Sequence, residues 1–152
     1  MLGVARALGE QKQFLRCAKD FDDALGKSLC VPLDGTVARI LVVGGLDNPS
    51  AAGFTKAADI AALAAIKLPI SQAVIAISDV RVKGKSSQWQ ASIIMQACSH
   101  AGYQFRHHKS KPKPLHQLTR IKLHSTDSDS KVMRTAVKLG NALDAGLQLA
   151  KD

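Results

Sequence analysis

Short runs of β-branched and apolar residues alternate along the chain with longer amphipathic stretches. The runs predict strands at 29–33, 37–43, 73–77 and 118–125. The stretches predict helices at 8–21, 51–67, 87–100 and 127–150. Because strands and helices alternate, we expect one three-layer α/β domain with a mixed, mostly parallel sheet flanked by helices.

Turn and capping residues indicate where several of these elements begin and end. Asp34-Gly35 separates the first two strands and predicts a hairpin turn. Ser50 is placed to cap the second helix, and Pro69 follows its end. The nearly continuous apolar run Ala73 to Ile77 predicts a strand that lies centrally and is covered on both faces.

In the last strand, the first helix and the last helix, the residue pattern separates a buried face from an exposed one. Apolar and basic residues alternate from Leu118 to Ser125, which predicts a half-exposed strand with one basic face. The first helix is expected to bury Leu8, Phe14, Leu15, Ala18 and Phe21. The last helix is expected to have Asp127 and Asp129 at its start and to bury Val132, Ala136, Leu139, Gly140, Leu143, Leu147 and Ala150.

Composition adds a strongly uneven charge distribution. The chain has 152 residues, 46% hydrophobic and 22% charged, which suits one globular domain. Its formal net charge is +9. Residues 80–126 contain nine Lys and Arg and no acid, while the remainder carries 12 of each sign. The excess charge therefore belongs to one segment.

Other bulk features predict an intracellular protein. No apolar run is long enough to span a membrane, and the N-terminus lacks the pattern of a secretory signal, so we expect a cytoplasmic chain with no membrane partner. Cys17, Cys30 and Cys98 are widely spaced and odd in number, which favours reduced and buried thiols.

The candidate binding residues fall into two groups. Gly44-Gly45 follows a strand and precedes a capped helix, so it is either a tight turn or a phosphate-binding turn. The basic segment is either a solvated surface facing a neighbouring domain or a duplex DNA contact. Its candidate DNA contacts are Arg81, Lys83, Lys85, Lys109, Lys111 and Lys113. We assign no catalytic or metal-ligating residue to this chain.

Four motifs occur in an order that resembles a known family. They are GKSLCVPLDGTVARILVVGGL at 26–46, VKGKSSQW at 82–89, GYQFRHHKSKPKPL at 102–115 and GLQLAKD at 146–152. Together they look like the N-terminal domain of the leucyl aminopeptidase, or cytosol aminopeptidase, family of two-metal exopeptidases. The resemblance covers residues 26–152, and residues 1–25 match it poorly.

The resemblance implies a fold similar to macro domains and a larger C-terminal catalytic domain with two divalent ions, manganese or zinc. The family's metal-binding stretch Asn-Thr-Asp-Ala-Glu-Gly-Arg does not occur here, and Glu10 is the single glutamate. We therefore expect a non-catalytic domain, cut from a longer enzyme, that serves assembly and active-site access in a homo-hexameric parent. The isolated chain should be inactive, and it contains no cofactor of its own.

Two binding functions stay open beside this interpretation. Some bacterial members of the family bind DNA with help from their N-terminal domains, so the resemblance implies DNA binding by the basic segment as an alternative function. A macro-like fold also implies a weaker alternative, an ADP-ribose-type ligand at Gly44-Gly45.

Overall fold

The computed structural model describes residues 11–33, 37–76, 80–102, 117–124 and 130–149. These residues form a mixed α/β domain whose elements follow the predicted order. They are α1 (Gln11–Ala18), β1 (Ser28–Pro32), β2 (Arg39–Val43), α2 (Ala51–Ile66), β3 (Gln72–Ala76), α3 (Ser87–Gly102), β4 (Arg120–His124) and α4 (Ser130–Leu149). None of the described helices is long and apolar enough to cross a bilayer.

The first two strands form an antiparallel hairpin, as the sequence predicts. Ser28 lies opposite Val43 and Pro32 opposite Arg39. Beyond the ladder, the Leu33 N–H donates to the Ala38 carbonyl at 3.0 Å. The predicted turn pair Asp34-Gly35 lies outside the described residues, but the strands on either side pair as a hairpin requires.

The other two strands pair in parallel. Gln72 lies opposite Arg120 and Ala76 opposite His124. The described residues thus contain one antiparallel and one parallel two-stranded ladder. A single, mostly parallel, macro-like sheet joining them stays a prediction.

β3 differs from its prediction in burial. Ile75 packs against the helical core, but Val74 is 68% exposed, and Gln72 and Ala76 are exposed as well. The expectation of a strand covered on both faces is wrong for the described structure. The reason is that the core lies on the Ile75 side, so the alternate side chains face away from it.

The second helix begins and ends where the sequence predicts. Ser50 has an extended backbone conformation, and its Oγ accepts a hydrogen bond from the Gly53 N–H at 3.0 Å. This bond satisfies one of the N–H groups that have no partner within the helix. Lys67 ends the helix two residues before Pro69. The Ser50 cap is confirmed.

The main core is built around α3, which packs between α2 and α4. Its Ala91, Ile94 and Ala97 are each no more than 5% exposed. They join Phe54 of α2 and Ala136 of α4 in one cluster, which β3 and β4 contact through Ile75 and Leu123. A smaller cluster lies under the hairpin and consists of Phe14, Val31, Leu33 and Val42.

The amphipathic patterns overstate the buried side of two helices. In α4, Ala136 and Gly140 are buried, but Leu139 is 50% exposed. In α1, Phe14 is buried whereas Leu15 is 44% exposed. Both leucines border the buried stripe by sequence, and the neighbouring elements do not reach them. The predictions for these two residues are wrong.

Gly140 marks the closest approach of α4 to α3. A Cβ built at this position would lie 2.7 Å from Met95 Cβ and 3.3 Å from the Ser92 carbonyl oxygen. Both atoms belong to α3, so glycine sets the separation of the two helices. Gly146, six residues later on α4, has nothing within 4 Å of such a Cβ.

This contrast predicts opposite effects of one substitution. Gly140→Ala should lower the free energy of unfolding by about 1–3 kcal/mol, because the added methyl overpacks the interface. Gly146→Ala should raise it by about 1 kcal/mol, because alanine is the better helix former. Urea denaturation monitored by circular dichroism measures both. Equal stabilisation by the two changes would show that the helices do not pack closely at Gly140.

The three cysteines are free, but they are less buried than predicted. Cys17 is exposed, and Cys30 and Cys98 are partly buried. The expectation of a buried thiol is wrong for Cys17, because it lies on the solvent side of α1. Burial raises the pKa of the Cys98 thiol from 9.0 to about 11 by desolvation of the thiolate.

The pKa shift predicts selective alkylation. Since the thiolate is the nucleophile, iodoacetamide at pH 8 should modify Cys17 well before Cys98, and the Cys98 rate should keep rising towards about pH 11. Peptide mass spectrometry of the folded chain measures both rates, with the chain in urea as the control in which they converge. Equal rates in the folded chain would contradict the partial burial that raises the pKa of Cys98.

Candidate functional site

The first half of the predicted DNA contacts lies on the loop between β3 and α3. We call residues 80–86 the basic loop. Arg81, Lys83 and Lys85 are exposed, whereas Val82 between them is 5% exposed and packs into the main core. The burial of Val82 fixes the middle of the loop and directs its neighbours to solvent.

A buried glutamine fixes the start of the basic loop. Gln90 of α3 is 5% exposed, and its Nε2 donates to the Val80 carbonyl at 2.9 Å. A buried amide without a partner would cost about 1–3 kcal/mol, so this bond is needed to place Gln90 in the core. It also ties the loop to the first turn of α3.

The end of the basic loop is a turn followed by a helix cap. The Lys85 N–H donates to the Val82 carbonyl at 3.1 Å, and Gly84 between them has a φ of +71°. Glycine adopts that backbone conformation without strain. Ser86 then accepts a hydrogen bond at Oγ from the Trp89 N–H, at 3.2 Å, which caps α3.

Lys85 is partly engaged by an aromatic pair. Its Nζ lies 5.2 Å from the centroid of the Trp89 ring, within the range of a cation–π interaction. Trp89 in turn contacts Phe54 of α2, with ring centroids 5.7 Å apart and planes tilted by 42°. Arg81 and Lys83 therefore extend from the loop more freely than Lys85 does.

The other basic residues of the segment lie partly outside the described residues and partly on β4. Lys109, Lys111 and Lys113 lie outside the described residues. Arg120 and Lys122 are exposed on β4, as the alternating pattern predicts. The described part of the chain thus brings together Arg81, Lys83 and Lys85 on one held loop, and DNA binding by the set of six stays a prediction.

The glycine pair follows β2 and is enclosed by the segment after α1. The Gly44 N–H donates to the Lys27 carbonyl at 3.0 Å, and the Gly45 N–H donates to the Asp23 carbonyl at 2.6 Å. A Cβ on Gly44 would lie 2.6 Å from the Ala24 carbonyl oxygen, and Gly45 has a φ of +81°. Both glycines are required by close approach or by backbone conformation.

These bonds determine whether the N–H groups of Gly44 and Gly45 are available to a ligand. A phosphate cradle uses unpaired N–H groups, and here both are donated to main-chain carbonyls. The geometry fits the tight turn that the sequence predicts as one alternative. The other alternative, an ADP-ribose-type ligand at Gly44 and Gly45, stays a prediction.

Metal ligation was not predicted for this chain. Within the described ranges, no three His, Cys, Asp or Glu residues are grouped so that they could hold a metal ion. The residues present in the described part therefore do not fit a two-metal centre.

Comparison with known proteins decides the family. The model of the N-terminal domain of the cytosol aminopeptidase family matches residues 5–112, which is more than half of the chain. The chain belongs to the cytosol aminopeptidase family. The resemblance seen in the motifs is confirmed, and the match reaches into the first 25 residues, which the motifs do not cover.

Two curated relatives support the family assignment. A probable cytosol aminopeptidase of Chromohalobacter salexigens is 29% identical over 137 residues, covering 87% of this chain and 27% of the relative. One from Burkholderia ambifaria is 30% identical over 140 residues, covering 89% of this chain and 28% of the relative. The chain thus spans little more than a quarter of the length of these relatives.

A solved structure shares the fold. The bottromycin maturation enzyme BotP, determined in complex with Mn, superimposes with a TM-score of 0.66 at 21% sequence identity. The match covers 91% of this chain and 28% of BotP. At this identity the likeness concerns the fold alone.

Sequence reasoning missed the two contacts that hold the basic loop. Gln90 reads as a polar residue within an amphipathic helix, and only the position of Val80 shows why it is buried. The Lys85–Trp89 contact had a visible signal, since the two residues are four apart near a helix start.

Proposed function

We propose that this chain acts as the non-catalytic N-terminal domain of a metal-dependent leucyl aminopeptidase that removes N-terminal amino acids from peptides. Within the parent it serves assembly of a homo-hexamer and shapes access to the active site. The observation that carries the proposal is the family match over residues 5–112, combined with coverage of 27% and 28% of two full-length relatives.

The proposal assigns the two divalent ions, manganese or zinc, to the parent's catalytic domain. Support comes from the donor set of this chain, in which Glu10 is the single glutamate. Two-metal peptidases need several carboxylates in one place to hold both ions and orient water. No step of peptide hydrolysis is therefore assigned to residues of this chain.

The proposal also includes a cytoplasmic location and a three-layer, macro-like arrangement of the parent's N-terminal domain. The location is supported by the name of the relatives, cytosol aminopeptidase. The arrangement is supported by the parallel β3–β4 pair, whose inner face packs on the helical core.

Activity measurements test this proposal. The 152-residue chain supplied with Mn²⁺ should release no 4-nitroaniline from leucyl-4-nitroanilide, because it lacks the metal-binding carboxylates. The full product of the reading frame that contains residues 1–152 should release it, lose the activity on chelation and sediment as a hexamer. Deletion of residues 1–152 from that product should leave assemblies that sediment with fewer than six subunits.

The controls are a mock purification and a boiled sample. Activity of the 152-residue chain above both controls would contradict a non-catalytic role. A full product that is inactive with Mn²⁺ and with Zn²⁺ would contradict the aminopeptidase function, and a truncated product that stays hexameric would contradict the assembly role.

The basic loop supports a second candidate function, binding of duplex DNA. Arg81, Lys83 and Lys85 are exposed on a backbone that is held by Val82, Gln90 and the turn at Gly84. Cations on a pre-ordered backbone lose less entropy on binding phosphates than cations on a flexible one. Lys109, Lys111 and Lys113 complete the predicted contact set.

A salt titration tests DNA binding. Each phosphate contact contributes about 0.9 to the slope of log affinity against log salt, so Arg81→Ala with Lys83→Ala should reduce the slope by roughly 2. Fluorescence anisotropy with a labelled duplex measures it. Lys56→Ala with Lys67→Ala, which removes two exposed lysines from the α2 region, is the charge-matched control. An affinity for DNA that does not depend on salt, or equal losses of affinity in the two double variants, would contradict DNA binding by the basic loop.

A further inference from the structure

Lys85 differs from the other two cations of the basic loop in its surroundings. Arg81, Lys83 and Lys85 are all exposed. The Nζ of Lys85, however, lies 5.2 Å from the centroid of the Trp89 ring. An ammonium group over an aromatic face is attracted by the negative potential of that face. Lys85 therefore has an electrostatic partner within the protein before any ligand arrives.

The Trp89 ring is the fixed half of this contact. The backbone N–H of Trp89 donates to Ser86 Oγ at 3.2 Å, and its carbonyl accepts a hydrogen bond from Ser92 Oγ at 2.8 Å. The ring packs against the main core and contacts Phe54, which is 3% exposed. Because both the backbone and the ring of Trp89 are held, the ring stays in place whatever Lys85 does.

The Lys85 side chain is the movable half of the contact. The backbone of Lys85 is held by the loop, since its N–H donates to the Val82 carbonyl at 3.1 Å. Its ammonium group is carried on a flexible four-carbon stem that is exposed to solvent. Rotation about the bonds of this stem takes the ammonium group off the ring without moving the backbone of the loop.

The two kinds of partner available to Lys85 differ in strength. A cation–π contact at an exposed site is worth a factor of about two to five in an equilibrium constant. A hydrogen bond to a charged group is worth a factor of roughly ten to one hundred. A phosphate brought within reach of Lys85 therefore outcompetes the ring, whereas without a phosphate the ring keeps the ammonium group.

We propose that Trp89 is a positioning residue for the basic loop: it holds Lys85 against α3 in the free chain and releases it to a backbone phosphate once a duplex lies on Arg81 and Lys83. The inference rests on the second candidate function, binding of duplex DNA by this loop. It divides the three cations into two that are available from the start and one that joins them only when the nucleic acid is in place.

The salt dependence of binding tests the transfer of Lys85. Each phosphate contact contributes about 0.9 to the slope of log affinity against log salt, so Lys85→Ala should reduce the slope by roughly 0.9. Lys67→Ala is the matched control and should leave the slope unchanged, because exposed Lys67 lies about 20 Å along α2 from Phe54. Fluorescence anisotropy with a labelled duplex measures both slopes. An unchanged slope for Lys85→Ala would overturn the inference alone and leave DNA binding by Arg81 and Lys83 standing.

Substitution of Trp89 separates positioning from structural support. Trp89→Leu removes the ring contact that binding must break, so affinity for the duplex should rise by about two- to fivefold with an unchanged salt slope. Trp89→Phe keeps a smaller aromatic face and should give an intermediate affinity. A ring that only supports the fold requires weaker binding in both variants, and that result would overturn the inference. Circular dichroism checks that each variant is folded, and the Lys85→Ala slope remains decisive where Trp89→Leu does not fold.

Trp89 is the single tryptophan of the chain, so its fluorescence reports on this contact alone. Saturation with unlabelled duplex should move the emission spectrum of the unchanged chain to that of free Lys85→Ala. The same duplex should leave the spectrum of Lys85→Ala where it is. Equal shifts in the two proteins would show that the duplex contacts the ring directly, which contradicts a release of Lys85. Absence of any binding to the unchanged chain at low salt would overturn the second candidate function, and the inference with it.

Discussion

Close packing of α3 against α4 is the constraint on which the rest of the described structure depends. Ala91 and Ala136 are fully buried in the shared core, and Gly140 lets α4 approach the backbone of α3 at Ser92. Small side chains gain little from burial themselves. Their contribution is the short helix separation, which lets larger residues such as Ile94 and Phe54 join the same core cluster. α3 then fixes the basic loop through Gln90, and Ile75 of β3 packs against the cluster to which α3 contributes.

Signals that act within a few residues predict this fold well. The Ser50 cap, the hairpin strands and the alternating pattern of β4 follow from backbone geometry over two to four residues, and each agrees with the structure. Predictions that depend on distant neighbours fail more often. Leu139 and Leu15 border an apolar stripe, but whether a neighbouring element reaches them is decided elsewhere in the chain. Val74 shows the same limit, because an apolar run does not reveal which faces of a strand are covered.

The candidate site shows the same difference between features that nearby residues predict and features that depend on distant contacts. Exposure of Arg81, Lys83 and Lys85 is expected for cations in a glycine-containing loop, and the structure agrees. The order of that loop is not visible in the sequence, because it comes from Val82 in the core and from a bond between Gln90 and Val80. Likewise, the sequence of Gly44-Gly45 favours a tight turn and leaves a phosphate cradle as an alternative. Only the segment 23–27, which accepts its N–H bonds and would collide with a Cβ, shows how fully the protein itself uses the pair.

The excess charge of the chain now has a structural distribution. In the described part it is carried by the exposed basic loop and by Arg120 and Lys122 on β4, with Lys85 partly screened by Trp89. The two surfaces differ in what surrounds the cations. The basic loop presents charge on a polar turn, which suits a phosphate chain, whereas β4 presents charge beside the aliphatic Val74 and Ala76. The described cations of residues 80–126 therefore lie in two different surroundings, one polar and one partly apolar.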